Sequence, residues 1–201
     1  PEILADWHEL EGAYIANEEK FRICGVIFGF FERAIFLRGM ENTLMDMIDN
    51  PGFVHELMDA YLDLRLRAFD LLIDRIPFEA VLGGGDDCDN RGPLMGIERW
   101  REFIKPRIAR EIDHIHSMGK LYILHMCGNV LPLLDDLIEI GIDGLDPVQP
   151  EPMDIYEVKE KTQGKVVLIG GMGAQSTLPF GTPDSIREKT LELISEFGRD
   201  G

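Results

Sequence analysis

The sequence predicts a parallel α/β fold, a description that both a (β/α)8 barrel and a doubly wound sheet satisfy. From residue 78 onward, short apolar segments alternate four times with amphipathic segments of helical length. Strands that helices cover on both faces are continuous apolar runs, and right-handed crossovers join them. A barrel has eight strands and usually about 250 residues, whereas these 201 residues hold five good strand candidates. If the fold is a barrel, we therefore expect it to be incomplete in this chain.

The first part of the chain is mainly helical in its pattern. Residues 1–20 are rich in acidic side chains and predict an irregular or helical lead-in. Residues 21–28 are rich in β-branched and aromatic residues and predict a strand, while 30–38 are ambiguous and also fit a helical face. We expect a short helix over 41–49 and a long amphipathic helix from Pro51 to about Ile76, because Pro51 suits a first turn and Pro77 ends the helix.

The second part of the chain predicts a regular series of strands and helices. Gly119 is a suitable helix C-cap, and Thr182 followed by Pro183 is a suitable helix start. The expected strands cover 78–82, 121–125, 142–146 and 165–169, and the expected helices cover 97–118, 131–140, 153–161 and 182–197.

Composition and charge exclude several classes of function. The formal net charge is −17, so a surface for nucleic acid or for an anionic membrane is not expected. No apolar run approaches the 18–20 or so residues of a membrane span, and the N-terminus lacks the features of a signal peptide. Three cysteines cannot form a closed disulfide set, which favours a reducing, cytoplasmic location.

Polar or glycine-rich loops follow four of the predicted strands, at 83–88, 125–129, 146–149 and 170–175. In a parallel fold these loops meet at one edge, the carboxyl-end rim, where barrel enzymes keep their active sites. The predicted strand at 121–125 ends in His125, with Cys127 two residues further on, so both side chains point to the same side.

His125 and Cys127 are candidate zinc ligands, because imidazole nitrogen and thiolate sulfur both suit zinc. Zinc needs at least three ligands. Cys88, Asp86 or Asp87 in the neighbouring rim loop is able to supply another. The alternative is a buried cysteine beside a hydrogen-bonded histidine, with no metal.

The remaining rim residues are candidates for catalysis or for cofactor binding. Asp86 and Asp87 follow three glycines and could orient a substrate, donate a proton or bind a metal, or simply form an acidic capping loop. Gln149 is an uncharged catalytic candidate, for which a structural role is equally compatible. Gly171 and Gln175 are cofactor-binding candidates, because glycine lets the backbone approach an anionic group. The G-x-G-x-x-G spacing of a dinucleotide site is absent, and turn formation is the simpler explanation of these glycines.

The order of several motifs resembles the uroporphyrinogen decarboxylase superfamily over roughly residues 20–201. These motifs are His-Met-Cys-Gly-Asn at 125–129, Gly-Leu-Asp-Pro-Val-Gln-Pro at 144–150, Leu-Ile-Gly-Gly-Met-Gly-Ala-Gln at 168–175 and Leu-Pro-Phe-Gly-Thr-Pro at 178–183. The resemblance implies that residues 1–201 are one (β/α)8 barrel domain, as a fragment that lacks an N-terminal segment and the last strand.

The resemblance also implies a chemistry. The His-x-Cys strand end is similar to that of the cobamide-dependent methyltransferases of this superfamily, in which such a pair binds zinc. It thus assigns His125 and Cys127 to zinc and places a third ligand after Gly201. The implied reaction moves a methyl group between a corrinoid and a small thiol or methyl donor. The implied partners are a small-molecule substrate and a corrinoid-binding protein that docks over the rim.

Two alternatives remain open at this point. One is decarboxylation of uroporphyrinogen or a related polycarboxylate, which needs a basic pocket, although the rim loops offer only Arg91 as an obvious cation. The other is a non-catalytic module that binds a corrinoid or a tetrapyrrole.

Overall fold

The computed structural model describes residues 7–26 and 28–199. Residues 1–6 of the expected lead-in and Ile27 of the expected first strand lie outside these ranges. None of the described helices is both long and apolar enough to cross a membrane.

The N-terminal part begins with helix α1 (Trp7–Ile15) and strand β1 (Ile23–Val26), and helices α2 (Phe30–Arg38), α3 (Met40–Asp49) and α4 (Pro51–Ile73) follow. The ambiguous segment at 30–38 is therefore a helix. Its start is stabilised by a capping interaction, in which the Gly29 amide donates to Glu32 Oε2 at 2.8 Å. Pro51 occupies the first turn of α4, as predicted.

The C-terminal part carries the regular alternation that the sequence predicts. Strand β2 (Ala80–Gly84) leads into a small hairpin of β3 (Cys88–Asp89) and β4 (Gly92–Pro93), which is not evident from the sequence pattern. The next helix consists of α5 (Ile97–Arg99), a π-helical turn (Trp100–Ile104) and α6 (Lys105–Ser117). The remaining elements are β5 (Leu121–His125), a 3-10 turn (Leu131–Leu133), α7 (Leu134–Glu139), β6 (Gly144–Val148), α8 (Ile155–Thr162), β7 (Val167–Gly170), α9 (Thr177–Phe180), α10 (Pro183–Glu192) and a π-helical turn (Leu193–Phe197).

The five longer strands form one parallel sheet in the order β1-β2-β5-β6-β7. Each strand pairs with the next one along the chain, as in a barrel, whereas a doubly wound sheet reverses its order at a switch point. The described sheet is thus an open segment of a (β/α)8-type wall, and the expectation of a barrel that is incomplete in this chain is confirmed. On β7, at one edge of this sheet, Val167 is 67% exposed.

Four of the five strands of the sheet, β1, β2, β6 and β7, begin two residues later than the sequence predicts. Phe78 and Ile142 are both buried, yet they precede β2 and β6 instead of belonging to them. An apolar residue in the sequence indicates burial and does not indicate pairing in the sheet. Buried residues just before a strand therefore look like part of that strand. As a result, Gly83, Gly84 and Val148 lie in strands and the rim begins beyond them.

A buried ion pair joins the helical layer to the sheet. Arg65 on α4 donates from Nε to Glu111 on α6 at 2.5 Å, and the two side chains are 2% and 0% exposed. The hydroxyl of Tyr122 on β5 donates to the same carboxylate at 2.9 Å, and Arg65 Nη1 donates to the carbonyl of Phe28 at 2.8 Å. The pair therefore connects α4, α6, the central strand β5 and the segment that follows β1.

Candidate metal centre

The register of the sheet brings three rim segments together around His125. This residue is the last of β5 and lies opposite Gly84 on one neighbouring strand and Asp146 on the other. The loop that follows Gly84 carries Asp86, and the chain beyond His125 carries Cys127. Side chains far apart in sequence thus meet where parallel strands end.

Asp86, His125 and Cys127 form a compact group of potential metal ligands. One donor atom from each residue lies within 4.8 Å of the other two. His125 Nε2 is 3.7 Å from Cys127 Sγ and 3.8 Å from the nearer carboxylate oxygen of Asp86. Two tetrahedral zinc ligands with bonds of about 2.0–2.3 Å lie roughly 3.3–3.8 Å apart, so both separations fit an ion placed between the donors.

His125 is held by a second carboxylate on its far side. Its Nδ1 lies 2.6 Å from Asp146 Oδ2 on the adjacent strand. When Nδ1 carries the proton and donates to Asp146, the lone pair of Nε2 points toward Cys127 and Asp86. This carboxylate–histidine arrangement typically orients the imidazole ligands of metal sites.

The electrostatics of Cys127 also favour a cation. Burial, and after it the negative charge of Asp86, raises the pKa of the Cys127 thiol to about 11. At neutral pH the thiol would therefore keep its proton unless a positive charge lay beside it. A metal ion supplies such a charge and deprotonates a coordinating thiol, so the donor set fits a divalent metal.

The other two ligand candidates from the neighbouring loop face away from this group. Asp87 is fully buried, where Trp100 Nε1 donates to its Oδ2 at 3.0 Å. Burial raises the pKa of this carboxyl to about 7. Cys88 is also buried, with Sγ 3.8 Å from Met126 Sδ, and burial raises the pKa of its thiol well above the usual range. Of the three alternatives, Asp86 is the one that the fold places beside His125 and Cys127.

The predicted catalytic and cofactor-binding residues of the later loops lie on the rim in structural contacts. Gln149 Oε1 accepts a hydrogen bond from the Gly128 amide at 2.6 Å and so holds the turn after Cys127. Asn90 Nδ2 donates to Gln175 Oε1 at 3.0 Å, which ties the hairpin to the loop after β7. Gly171 has φ of +89° and its amide donates to the carbonyl of Val148. The functional roles of Gln149, Gly171 and Gln175 stay predictions.

Sequence reasoning missed two carboxylates of this site. Asp146 was seen only as a strand end, and Glu32 fell in the ambiguous segment at 30–38. Glu32 Oε2 accepts hydrogen bonds from the amides of Gly29 at 2.8 Å and Asp86 at 3.4 Å, so it supports the loop that carries a ligand. A glutamate at the third position of a helix is one half of a capping box, but Gly29 has no side chain for the other half and nothing local connects Glu32 with Asp86.

The chain is similar to a known protein family and to two methyltransferases. The family model described as uroporphyrinogen decarboxylase (URO-D) matches residues 10–201. The methylcobamide:CoM methyltransferase MtaA of Methanosarcina barkeri is 29% identical over 94 residues, which are 47% of this chain and 26% of that protein. A solved structure of a methyltransferase from Methanosarcina mazei has a TM-score of 0.70 and 21% identity, and the match covers 86% of this chain and 49% of that one. The chain therefore spans about half the length of the solved relative and matches about a quarter of the curated one.

Proposed function

Because the chain belongs to the uroporphyrinogen decarboxylase (URO-D) family, we propose that it forms the metal-binding part of a zinc-dependent methyltransferase. The proposed reaction moves a methyl group between a corrinoid and a small thiol or methyl donor. The observation that carries this proposal is the meeting of Asp86, His125 and Cys127 within 4.8 Å at the carboxyl-end rim. The names of the two methyltransferase relatives support the same class of reaction.

Zinc is the metal that suits these donors best. Nitrogen, sulfur and one carboxylate oxygen make a mixed set that zinc accepts, while magnesium and calcium take oxygen ligands. Asp86, His125 and Cys127 would supply three of the four ligands of a tetrahedral ion. The ligand that the family resemblance places after residue 201 is compatible with this set, because one position remains.

Bound zinc would supply a positive charge that lowers the pKa of a substrate thiol, or that polarises a methyl donor. The residues of this chain prepare that position. Asp146 fixes the orientation of His125. The Cys127 amide donates to Asp86 Oδ1 at 3.2 Å, so Asp86 is also held in place beside the other two ligands. Gln149 holds the turn at Gly128 through a hydrogen bond. The buried carboxyl of Asp87 accepts a hydrogen bond from Trp100 and so anchors the loop that carries Asp86.

In this proposal the corrinoid arrives on a separate protein that docks over the rim. The loop after β7, with Gly171 and Gln175, would contact that cofactor. We do not extend the proposal to decarboxylation, because the described residues that line the cavity at the metal centre include no lysine or arginine to bind a polycarboxylate.

Metal analysis of the purified protein tests the proposal. We expect about one zinc per chain in the wild type and a loss of that zinc in the double variant His125→Ala/Cys127→Ser. His8→Ala is the matched control, since this histidine is 90% exposed and far from the rim in sequence. A wild type without zinc, or a double variant that keeps it, would contradict the proposal.

A kinetic assay tests the reaction itself. Methylcobalamin that is mixed with a small thiol should lose its methyl–cobalt absorbance in the presence of the wild type and not of the double variant. A protein that binds zinc and corrinoid would be a binding module instead of an enzyme if it neither demethylates methylcobalamin with a thiol nor methylates reduced cobalamin from a methyl donor.

A further inference from the structure

A cavity of about 310 Å³ opens directly beside the proposed metal centre. Its lining includes the two ligand candidates Asp86 and His125, the side chain of Glu32, and glycines of β1 and β2. The apolar side chains of Phe28 and Leu82 complete the wall. This volume is at the lower end of the range for small-molecule sites, about 300–1,000 Å³, so the cavity suits a small organic molecule.

The acidic side chains that line this cavity are not matched by basic ones in the described lining. Glu32 and Asp86 bring two carboxylates, and the lining residues that the structure describes include no lysine or arginine. The guanidinium of Arg33 rests instead against the rings of Phe28 and Tyr61, 5.2 and 5.3 Å from their centroids, and that of Arg65 is paired with Glu111. If a divalent metal is neutralised by Asp86 and the Cys127 thiolate, Glu32 leaves one net negative charge in the cavity.

The glycine of β1 gives the cavity its space. A Cβ built on Gly25 meets no other atom within 4 Å, so the position faces open room. By contrast, a Cβ on Gly83 would lie 1.9 Å from the hydroxyl of the buried Tyr122. Of these two glycines, Gly25 accepts a Cβ without a collision, whereas Gly83 leaves room for the ring of Tyr122.

We infer that this cavity binds a small onium cation, a quaternary ammonium or sulfonium compound that carries methyl groups. The inference rests on the proposed function and narrows it toward a cationic methyl donor, and away from an anionic thiol. Phe28 and Leu82 offer apolar surface to the methyl groups, and Glu32 supplies the opposite charge. An anionic substrate would have to place its charge beside Glu32 with no cation in the described lining to compensate.

A pair of isosteric ligands isolates the role of charge. Choline carries a trimethylammonium group, and 3,3-dimethylbutan-1-ol has the same shape with a neutral carbon in place of nitrogen. Calorimetric titration of the purified zinc-containing protein should show choline binding about threefold to tenfold more tightly. Glu32→Gln should abolish this preference, because glutamine retains an oxygen for the amides of Gly29 and Asp86 but loses the charge.

Two further variants locate the site. Glu41→Gln removes the same charge from an exposed position on α3 and should leave the preference unchanged. Gly25→Val should lower the affinity for both ligands at least about tenfold, since it adds a side chain at the cavity wall. The first carbon of that side chain meets no protein atom within 4 Å.

The outcomes separate this inference from the proposed function. Equal affinities for the two ligands, a preference that survives Glu32→Gln, or choline binding that Gly25→Val does not weaken would each overturn the cationic site. When the wild type contains zinc, these results contradict the cation-binding site and leave the proposed function intact. A wild type without zinc would overturn the proposed function. The metal content of the same sample shows which case applies.

Discussion

Asp146 Oδ2 lies 2.6 Å from His125 Nδ1, so the last residue of β5 takes its orientation from the neighbouring strand β6. If this contact positions His125 for a metal, Asp146→Asn should lower zinc affinity about tenfold to hundredfold, as for other outer-shell partners of metal-bound histidine. Competition with a chromophoric chelator measures the affinity. Asp135→Asn, at an exposed position on α7, is the control. An unchanged affinity in Asp146→Asn would show that the contact has no role in metal binding.

Asp86 and Cys88 give opposite predictions although they are two residues apart. Asp86→Ala should weaken zinc binding more than Asp146→Asn does, because it removes a proposed ligand from the group of three. Cys88→Ala should leave zinc affinity unchanged, since Cys88 Sγ faces Met126 in the core. The same chelator competition compares them. Zinc loss in Cys88→Ala with none in Asp86→Ala would reverse the assignment of the third ligand.

The buried pair Arg65–Glu111 should dominate the stability of the helical layer. Glu111→Gln leaves the Arg65 charge buried without its partner, and we expect a loss of about 3–5 kcal/mol in the free energy of unfolding. Glu157→Gln, which breaks the exposed pair with Lys161 on α8, should cost only about 0.5 kcal/mol or less. Urea unfolding monitored by circular dichroism measures both. Similar losses in the two variants would contradict the role given to burial.

The carboxylate of Glu79 should stabilise the fold in a pH-dependent way. Hydrogen bonds from Arg22 lower the pKa of this carboxyl to about 2, below its unfolded value of about 4.3. Since the folded pKa is the lower one, the stabilisation is complete above the unfolded pKa and is lost as pH falls through about 2. Glu79→Gln should therefore lower the urea midpoint at pH 7, by less than Glu111→Gln does.

The difference between Glu79→Gln and the wild type should shrink as the pH of the urea titration falls from 5 toward 2. Glu41→Gln, on an exposed part of α3, should match the wild type throughout. A deficit in Glu79→Gln that stays constant over this range would mean that the charge of the carboxylate is not what stabilises the fold.

Much of the fold was predictable because its signals are local. The helix starts at Pro51 and Thr182 and the helix end at Gly119 depend on a few adjacent residues, and the structure places caps or first turns there. The order of strands and helices followed from periodicity. The strand entrances at Phe78 and Ile142 were misplaced by two residues, because a buried apolar residue before a strand has the same sequence signature as one inside it.

The small hairpin at 88–93 and the helical start at Phe30 show a second limit. Cys88–Asp89 and Gly92–Pro93 are too short for an alternating pattern to develop. Glu32 caps its helix through the Gly29 amide and at the same time reaches the loop that carries Asp86. The contact with Gly29 is between residues three positions apart and is local in sequence. The contact with the loop of Asp86 depends on how α2 lies against the end of β2.

For the site, the sequence by itself predicted the pair His125 and Cys127, since side chains at i and i+2 of an extended segment share a side. Only the tertiary structure decided which of Asp86, Asp87 and Cys88 joins them and that Asp146 stands behind the histidine. Those contacts depend on strand register. The register places Asp146, 21 positions away in sequence, and Asp86, 39 positions away, beside His125. A local pattern can show that a loop carries carboxylates, but the direction in which each points is set by what the core below it has room to bury.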